Sequence, residues 1–410
     1  VSPNLFSNIV VGDMLHQSVD FRNLSTENSA GLLSSFKIGN FTLHPSVILN
    51  YHHNSLRSRL DAMCNDLSLD NLDTGIGAEA VFSIRKIHAS LYIPVKYRLF
   101  SLKNRLDGNI TDKKRFRIEP SFNFTYRINN SHNLNAKASL SYMTPSIETL
   151  YSGYILTSYR QLSAYDVAGL YEGDTQYCSL SYSYRNILSM SFAGVDLSYS
   201  QQSPDVLYGS CYDGIVQRTI SRRTSEIGNM LSAKVHASQG FDWRRLKIGA
   251  SVSYSRYDNP LLVQEEILRY TGNSLAIEAD ISLTPFRWLA MSYQGNYSQS
   301  ATRQKGLERF PWLRTVTNRG SLDFTIPGGV TLTTSLYHYY NNFNDGDKSF
   351  FLLNAEAGYS FRRFSFTLSC DNLLNRKSYI YSDLSALTES KALYNIRPRS
   401  VLLKIRFRIL

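Results

Sequence analysis

The sequence predicts an all-β fold: an antiparallel up-and-down transmembrane β-barrel with about 17–18 strands present, short turns at one rim and long loops at the other. Three observations predict it. Aromatic residues are 13% of the 410 residues, with 28 Tyr and 21 Phe, a composition that favours strands over helices. Apolar and polar side chains alternate at period two in runs of roughly 9 to 14 residues. The connections between these runs are short and long strictly in turn.

Taken in chain order, residues 1–30 form a poorly patterned N-terminal segment, and residues 31–410 form one barrel domain whose first clear strand begins near Gly31. In residues 177–185, Cys178, Leu180, Tyr182 and Tyr184 fall on one face and Ser179, Ser181, Ser183 and Arg185 on the other, because successive side chains of a strand point oppositely. Residues 247–255 set Ile248, Ala250, Val252 and Tyr254 against Lys247, Ser251 and Ser253; residues 274–283 set Leu275, Ile277 and Ile281 against Glu278 and Asp280. Near the end, Phe364, Phe366, Leu368 and Cys370 oppose Ser365, Thr367, Ser369 and Asp371. The last strand, residues 400–409, puts Leu403, Ile405, Phe407 and Ile409 on one face and Lys404, Arg406 and Arg408 on the other. Its aromatic near the terminus resembles the signal read by the barrel-assembly machinery, although the chain ends on Leu410.

The short connections are Gly39-Asn40, Arg85-Lys86, 128–132, 186–188, 240–242, 285–287, 327–329 and 361–363. The long ones are 57–73, 103–113, 144–173, 201–229, 257–272, 300–318, 340–348 and 373–395. Outer-membrane barrels show this asymmetry, with short periplasmic turns and long extracellular loops. A soluble sandwich has strands of about 5 or 6 residues, whereas these runs match the roughly 9 to 11 that a tilted bilayer crossing needs. An apolar face rich in Tyr suits the membrane interface. No apolar run approaches the ~18 residues of a spanning helix.

The net charge of +11 fits a polyanionic partner. The strand pattern leaves the basic groups around a lumen and rim, so lipopolysaccharide is the expected partner and nucleic acid is not. Cys64, Cys178, Cys211 and Cys370 form no C-x-x-C pair and are read as packed or free thiols in preference to a Cys64–Cys211 disulfide. None of H-E-x-x-H, G-x-x-x-x-G-K-[ST], G-x-S-x-G or G-x-G-x-x-G occurs, so no enzyme, catalytic residue, metal or cofactor is expected. His52-His53 on a strand point to opposite faces and cannot chelate together. Asp66, Asp70 and Asp73, and Asn344, Asp345 and Asp347, resemble loose Ca²⁺ ligand sets without the closing bidentate Glu, and are read as turn chemistry. Lys247, Glu278, Asp280 and Glu356 sit on polar faces as candidate lumen lining. Tyr151, Tyr154 and Tyr159 with Arg160, and Trp312 in another loop, are the candidate ligand contacts, since Tyr and Trp stack on sugars, peptides and chelates.

The segment Ser369-Cys370-Asp371-Asn372-Leu373-Leu374-Asn375-Arg376 resembles the N-L-F/L-N stretch near the end of TonB-dependent outer-membrane receptors. The segment Tyr394-Asn395-Ile396-Arg397-Pro398-Arg399-Ser400-Val401-Leu402-Leu403 is similar to the P-R-x-hydrophobic approach to their last strand, especially as written in Bacteroidota. The resemblance covers the barrel alone. It implies a 22-stranded outer-membrane barrel in a Gram-negative bacterium, of which this chain is the C-terminal part, without the plug domain and without the N-terminal region that the TonB complex grips. It implies energy-coupled uptake of a scarce small solute: siderophore, vitamin, glycan or peptide. The alternatives are a passive porin-like or a structural or adhesive outer-membrane barrel of about 16 to 18 strands, and, further off, a barrel-embedded hydrolase.

Overall fold

The computed structural model describes residues 16–31, 36–158, 161–165, 169–214, 216–344, 347–385 and 388–407. Among them, seventeen strand positions follow one another in one antiparallel meander. They are β1 (Gln17–Gly31, continued by Phe36–Ile38), β2 (Phe41–Leu60), β3 (Met63–Ile84), β4 (Ile87–Asn104), β5 (Ile110–Ile118, continued by Ser121–Arg127), β6 (His132–Tyr142), β7 (Gly173–Asn186), β8 (Ser191–Pro204) and β9 (Gly228–Phe241). Then come β10 (Leu246–Val263), β11 (Glu266–Phe286), β12 (Leu289–Gln304), β13 (Leu313–Ile326), β14 (Val330–Asn341), β15 (Ser349–Phe361), β16 (Phe364–Asp371) and β17 (Ser400–Phe407). Each hydrogen-bonds the next.

The wall starts earlier than the pattern predicts. Gln17–Gly31 pairs with β2 from Gln17↔Leu60 to Gly31↔Ser46, so the boundary expected near Gly31 moves into the former N-terminal segment. Val19 and Phe21 share one face and Leu24 takes the other, which hides the alternation. Ile409 and Arg408 of the expected last strand lie outside the described residues.

Register converts the alternation into two chemically distinct faces. Across six strands, Val195, Val235, Val252, Ile277, Tyr297 and Val316 stand in one row. Val252 is 43% and Ile277 41% exposed, although both belong to residue types that globular proteins bury. One residue along, the opposite face carries His236, Ser251, Glu278, Asn296 and Thr317. A slip of one residue would exchange the two rows, so the greasy face itself holds the register.

The short turns lie at one end, most of them at their expected positions; those expected at 186–188, 240–242 and 285–287 fall slightly later, at 187–190, 242–245 and 287–288, because the strands before them run on. At 327–329 the chain needs glycine: Gly329 has φ +87°, and a Cβ there would stand 2.3 Å from the Ser360 carbonyl oxygen. The other end differs from expectation. The loops expected at 57–73 and 257–272 are paired strand closed by two-residue turns, Asp61-Ala62 and Gln264-Glu265. Residues 201–229 and 373–395 instead carry hairpins, Val206–Asp213 with Val216–Arg223 and Ser378–Ser385 with Thr388–Asn395. These ladders rise beyond the apolar band, where alternation no longer marks a strand. Asp66, Asp70 and Asp73 are accordingly ladder residues and not turn residues, with ion pairs to Arg57 (3.3 Å), His53 (2.7 Å) and Arg98 (3.2 Å). His52 and His53 do point apart, the one to Ser25 and the other to Asp70.

The two motif segments near the C-terminus meet each other. Asn372, 4% exposed at φ +53°, donates through Nδ2 to the carbonyls of Arg376 (2.7 Å) and Arg397 (3.0 Å) and accepts from the Arg376 N–H (2.9 Å). Asn375 accepts from the Arg399 N–H at 3.1 Å, and the Arg399 guanidinium donates to the Leu373 carbonyl at 2.6 Å. This clasp joins the end of β16 to the start of β17. Asn372→Ala removes three hydrogen bonds and leaves a Cβ residue at positive φ without local pairing. It is expected to cost about 3 kcal/mol, read as a lowered urea midpoint in detergent micelles.

Candidate functional site

Between β6 and β7 the described residues 143–158, 161–165 and 169–172 lie on the polar face of the wall as a strap. It contains a 3₁₀ turn, Ile147–Thr149, capped by the Ser146 hydroxyl accepting from the Glu148 N–H, and the short strands Ile155–Ser158 and Gln161–Ser163. Ile147, Tyr151, Ile155 and Leu170 pack with Leu56, Leu67, Leu69 and Phe100 in one buried cluster. The wall residues of that cluster lie on the face opposite Val47, Ile76 and Val95. Burying a Leu or Phe side chain contributes about 1.5–3 kcal/mol, so these side chains hold the strap against the ladder.

Side-chain amides complete the strap's backbone bonding, as buried peptide groups require. Gln17 donates to the Leu156 carbonyl at 2.9 Å and accepts from its N–H at 2.7 Å. Asn65 does the same for Gly153, at 2.8 Å each way. Gln161–Ser163 runs parallel to Val216–Arg223, linking the strap to the neighbouring hairpin.

Ion pairs lock the strap's end. Lys113, Arg115 and Arg117 alternate along β5 and so share a face; they stand 3.6, 4.0 and 2.7 Å from Glu172 Oε2. The Glu172 side chain is 1% exposed, and its N–H donates to Asp205 Oδ2. Beside it, Arg98, 5% exposed, pairs with Asp73 (3.2 Å) and Glu119 (2.7 Å), and Lys96 pairs with Glu119 at 2.6 Å. Apart from Asp73, read from the sequence as turn chemistry, no member of this network is singled out by motif or loop reading. Its one sequence signal is the cation at every second residue from 113 to 117.

Of the expected ligand contacts that are described, Tyr151 and Tyr154 lie in the strap and Trp312 lies in another connection. Tyr151 is 6% exposed, with its ring edge-on to Tyr165 at 5.2 Å, and Tyr165 meets Tyr208 at 5.3 Å. It is therefore a core residue of the strap and its ring is not offered to a ligand. Burial pushes both phenols up, with the neighbouring Tyr151 and Tyr208 adding to the effect at Tyr165, which reaches about 12. Tyr154 is half-buried. Tyr159 and Arg160 lie outside the described residues. Trp312 stands far along the wall, between β12 and β13, with the Arg309 guanidinium 4.7 Å above its ring and its carbonyl accepting from Asn342.

Of the expected lining residues, Lys247, Glu278 and Asp280 share the polar face of β10 and β11, where Glu278 accepts from Ser251 at 3.1 Å. Glu356 stands on the same face of β15, between Thr333 and Ser369, four strands from β11 and six residues along from the row of Glu278. On the apolar face, a depression of about 590 Å³ at the break in β5 is lined by Leu91, Pro120, Phe122, Cys178 and Tyr199. Its lining suits an acyl chain. All four cysteines are free. Among the described residues, no group of three or more His, Cys, Asp or Glu is placed to hold a metal ion.

No protein-family model and no curated protein matches the chain. Among the solved structures similar to it are the ferric yersiniabactin uptake receptor FyuA from Yersinia pestis (TM-score 0.47, 10% identity, covering 95% of this chain and 61% of that one), the copper transporter OprC (0.49, 10%, 96% and 66%), and the ferric-catecholate import receptor Fiu from E. coli K12 in its closed form (0.47, 11%, 95% and 64%). The chain thus spans less than two thirds of the length of each. At these TM-scores the likenesses decide nothing about ligand or partner, and the functional reading rests on the wall and the strap.

Glu172→Gln would leave three cations facing a buried neutral amide, a change that costs about 3 kcal/mol or more when one partner of a buried pair is removed. The strap is expected to loosen, seen as faster chymotrypsin cleavage after Tyr151 or Tyr165 while the wall stays resistant.

Proposed function

We propose that the chain is the wall of an outer-membrane receptor and transporter in a Gram-negative bacterium, taking up a scarce small solute with energy delivered through a TonB partner. The observation that carries this reading is the pairing of an exposed apolar row with a polar row one residue along, repeated strand after strand. In water such a face would aggregate. Against acyl chains it is satisfied, and the polar face then lines an aqueous interior. The ligand class would be a siderophore, vitamin, glycan or peptide, met at the long-loop end, where Tyr154 and Trp312 stand. The two C-terminal motif segments, joined by the Asn372 clasp, support kinship with TonB-dependent receptors. Barrel-assembly machinery and lipopolysaccharide are the further partners proposed.

One observation favours a second reading. The strap lies on the polar face, where a constriction segment of a passive channel would lie, and such a channel needs neither plug nor energy. Saturable quenching of Trp312 by one member of a panel of ferric chelates, cobalamins, oligosaccharides and peptides is expected for a receptor. Swelling of chain-loaded vesicles in small sugars without saturable binding of any panel member would favour the channel.

The face assignment has its own test. Val252→Arg is expected to destabilise the folded chain in lipid vesicles by about 2–4 kcal/mol, whereas Ser251→Arg, one residue along, should change it by no more than about 0.5 kcal/mol. Urea titration of the heat-modifiable folded band measures both.

A further inference from the structure

We propose that the short-turn rim is a binding surface for anionic glycerophospholipid headgroups; the proposal rests on the membrane-wall reading above and names the lipid partner of that wall. Three of the turns carry adjacent cations: Arg85-Lys86, Arg244-Arg245 and Arg362-Arg363. Lys37, Arg127, Arg185, Lys247 and Arg287 add five more within two residues of a turn, against a single acid, Asp242. This one edge therefore holds nearly all of the chain's net charge of +11. All eleven cations are exposed, and none forms an ion pair among the described residues.

The opposite end treats its cations differently. Arg57 pairs with Asp66 at 3.3 Å, Arg269 with Glu226 and Asp258 at 2.8 Å each, and Arg376 with Asp347 at 3.6 Å. Some cations at the long-loop end thus meet carboxylates within the chain, whereas among the described residues none of the eleven at the turn end does; there Lys86 donates to the Ile128 carbonyl instead.

What those anions are follows from the side chains between the cations. Arg244 lies over Trp243 at 4.8 Å and over Phe286 at 5.5 Å, and Arg362 over Phe361 at 5.3 Å. Phe286 stacks on Trp288 at 5.0 Å, and Phe364 meets Phe407 at 4.9 Å. Trp243 is 62% exposed. These rings continue the apolar rows toward the rim, which is where amphipathic rings settle at headgroup depth. Guanidinium groups stacked on them sit at the level of lipid phosphates and match their geometry. A nucleic acid would meet the cations without any use for an apolar band behind the rings.

The test compares entry of the chain into phosphatidylcholine vesicles with and without phosphatidylglycerol, read by the heat-modifiable gel band and by Trp emission. At low salt, phosphatidylglycerol is expected to speed entry at least about tenfold, and high salt should abolish the gain. The variant carrying Arg244→Gln, Arg245→Gln, Arg287→Gln, Arg362→Gln and Arg363→Gln should enter phosphatidylcholine vesicles as the parent does and lose the gain. A variant carrying Gln at Arg59, Arg105, Lys114, Arg222 and Lys305, at the other end, should keep it. Entry without dependence on phosphatidylglycerol, or a gain that survives in the rim variant, overturns this proposal alone. Failure of the parent chain to enter either vesicle overturns the membrane reading, and the proposal with it.

Discussion

The whole arrangement depends on backbone pairing. A wall that turns an apolar face outward cannot leave peptide N–H and C=O groups to be satisfied by what lies against that face, so they must be satisfied sideways, strand to strand. The meander does this with long ladders, such as the twenty-residue register of β2 on β3 from Phe41↔Phe82 to Leu60↔Met63. With the backbone spent within the sheet, the two faces are free to diverge. One carries rows of Val, Ile and Tyr, the other rows of Ser, Asn, Glu and His.

Where the ladders rise past the apolar band, a different constraint takes over. There the polar face is covered by the strap, and the residues beneath it change accordingly: Leu67, Leu69 and Phe100 appear at positions that lower in the wall are small or polar. The charges left in this covered zone are paired, Arg98 between two carboxylates and Glu172 beneath three cations. Buried pairs of this kind add little net stability over an apolar replacement, but one partner without the other is costly. Their effect is to allow the strap a single seating, one in which the Glu172 carboxylate reaches Arg117.

Charge is thus used in two ways on one wall. At the long-loop end, Arg57, Arg269 and Arg376 close on carboxylates within the chain. At the turn end, cations stand beside aromatic rings and, among the described residues, none is paired with a carboxylate. The difference gives the wall a polarity along its strands that backbone topology alone does not impose, and it aligns the Tyr- and Trp-bearing loops with one side and the basic, ring-lined edge with the other.

Much of the wall was legible in the sequence, because period-two alternation is a direct consequence of strand geometry and the apolar face must be read the same way on every strand. Residues 177–185, 247–255 and 274–283 could hardly be anything else. Alternation failed where one face stopped being uniformly greasy: in Gln17–Gly31, where Leu24 breaks step with Val19 and Phe21, and in 57–73 and 257–272, where the ladder continues through polar residues. The candidate site was less legible. Tyr151 looks like a ligand contact by residue type, and only packing against Tyr165 and the wall makes it core. Glu172 is one acid in a loop until the fold brings β5 beneath it. Sequence by itself determined which residues face apart and which rim carries the short turns, since both are local properties of the backbone. Tertiary structure alone decided which charges are paired and which aromatics are buried, because those depend on contacts between residues tens of positions apart.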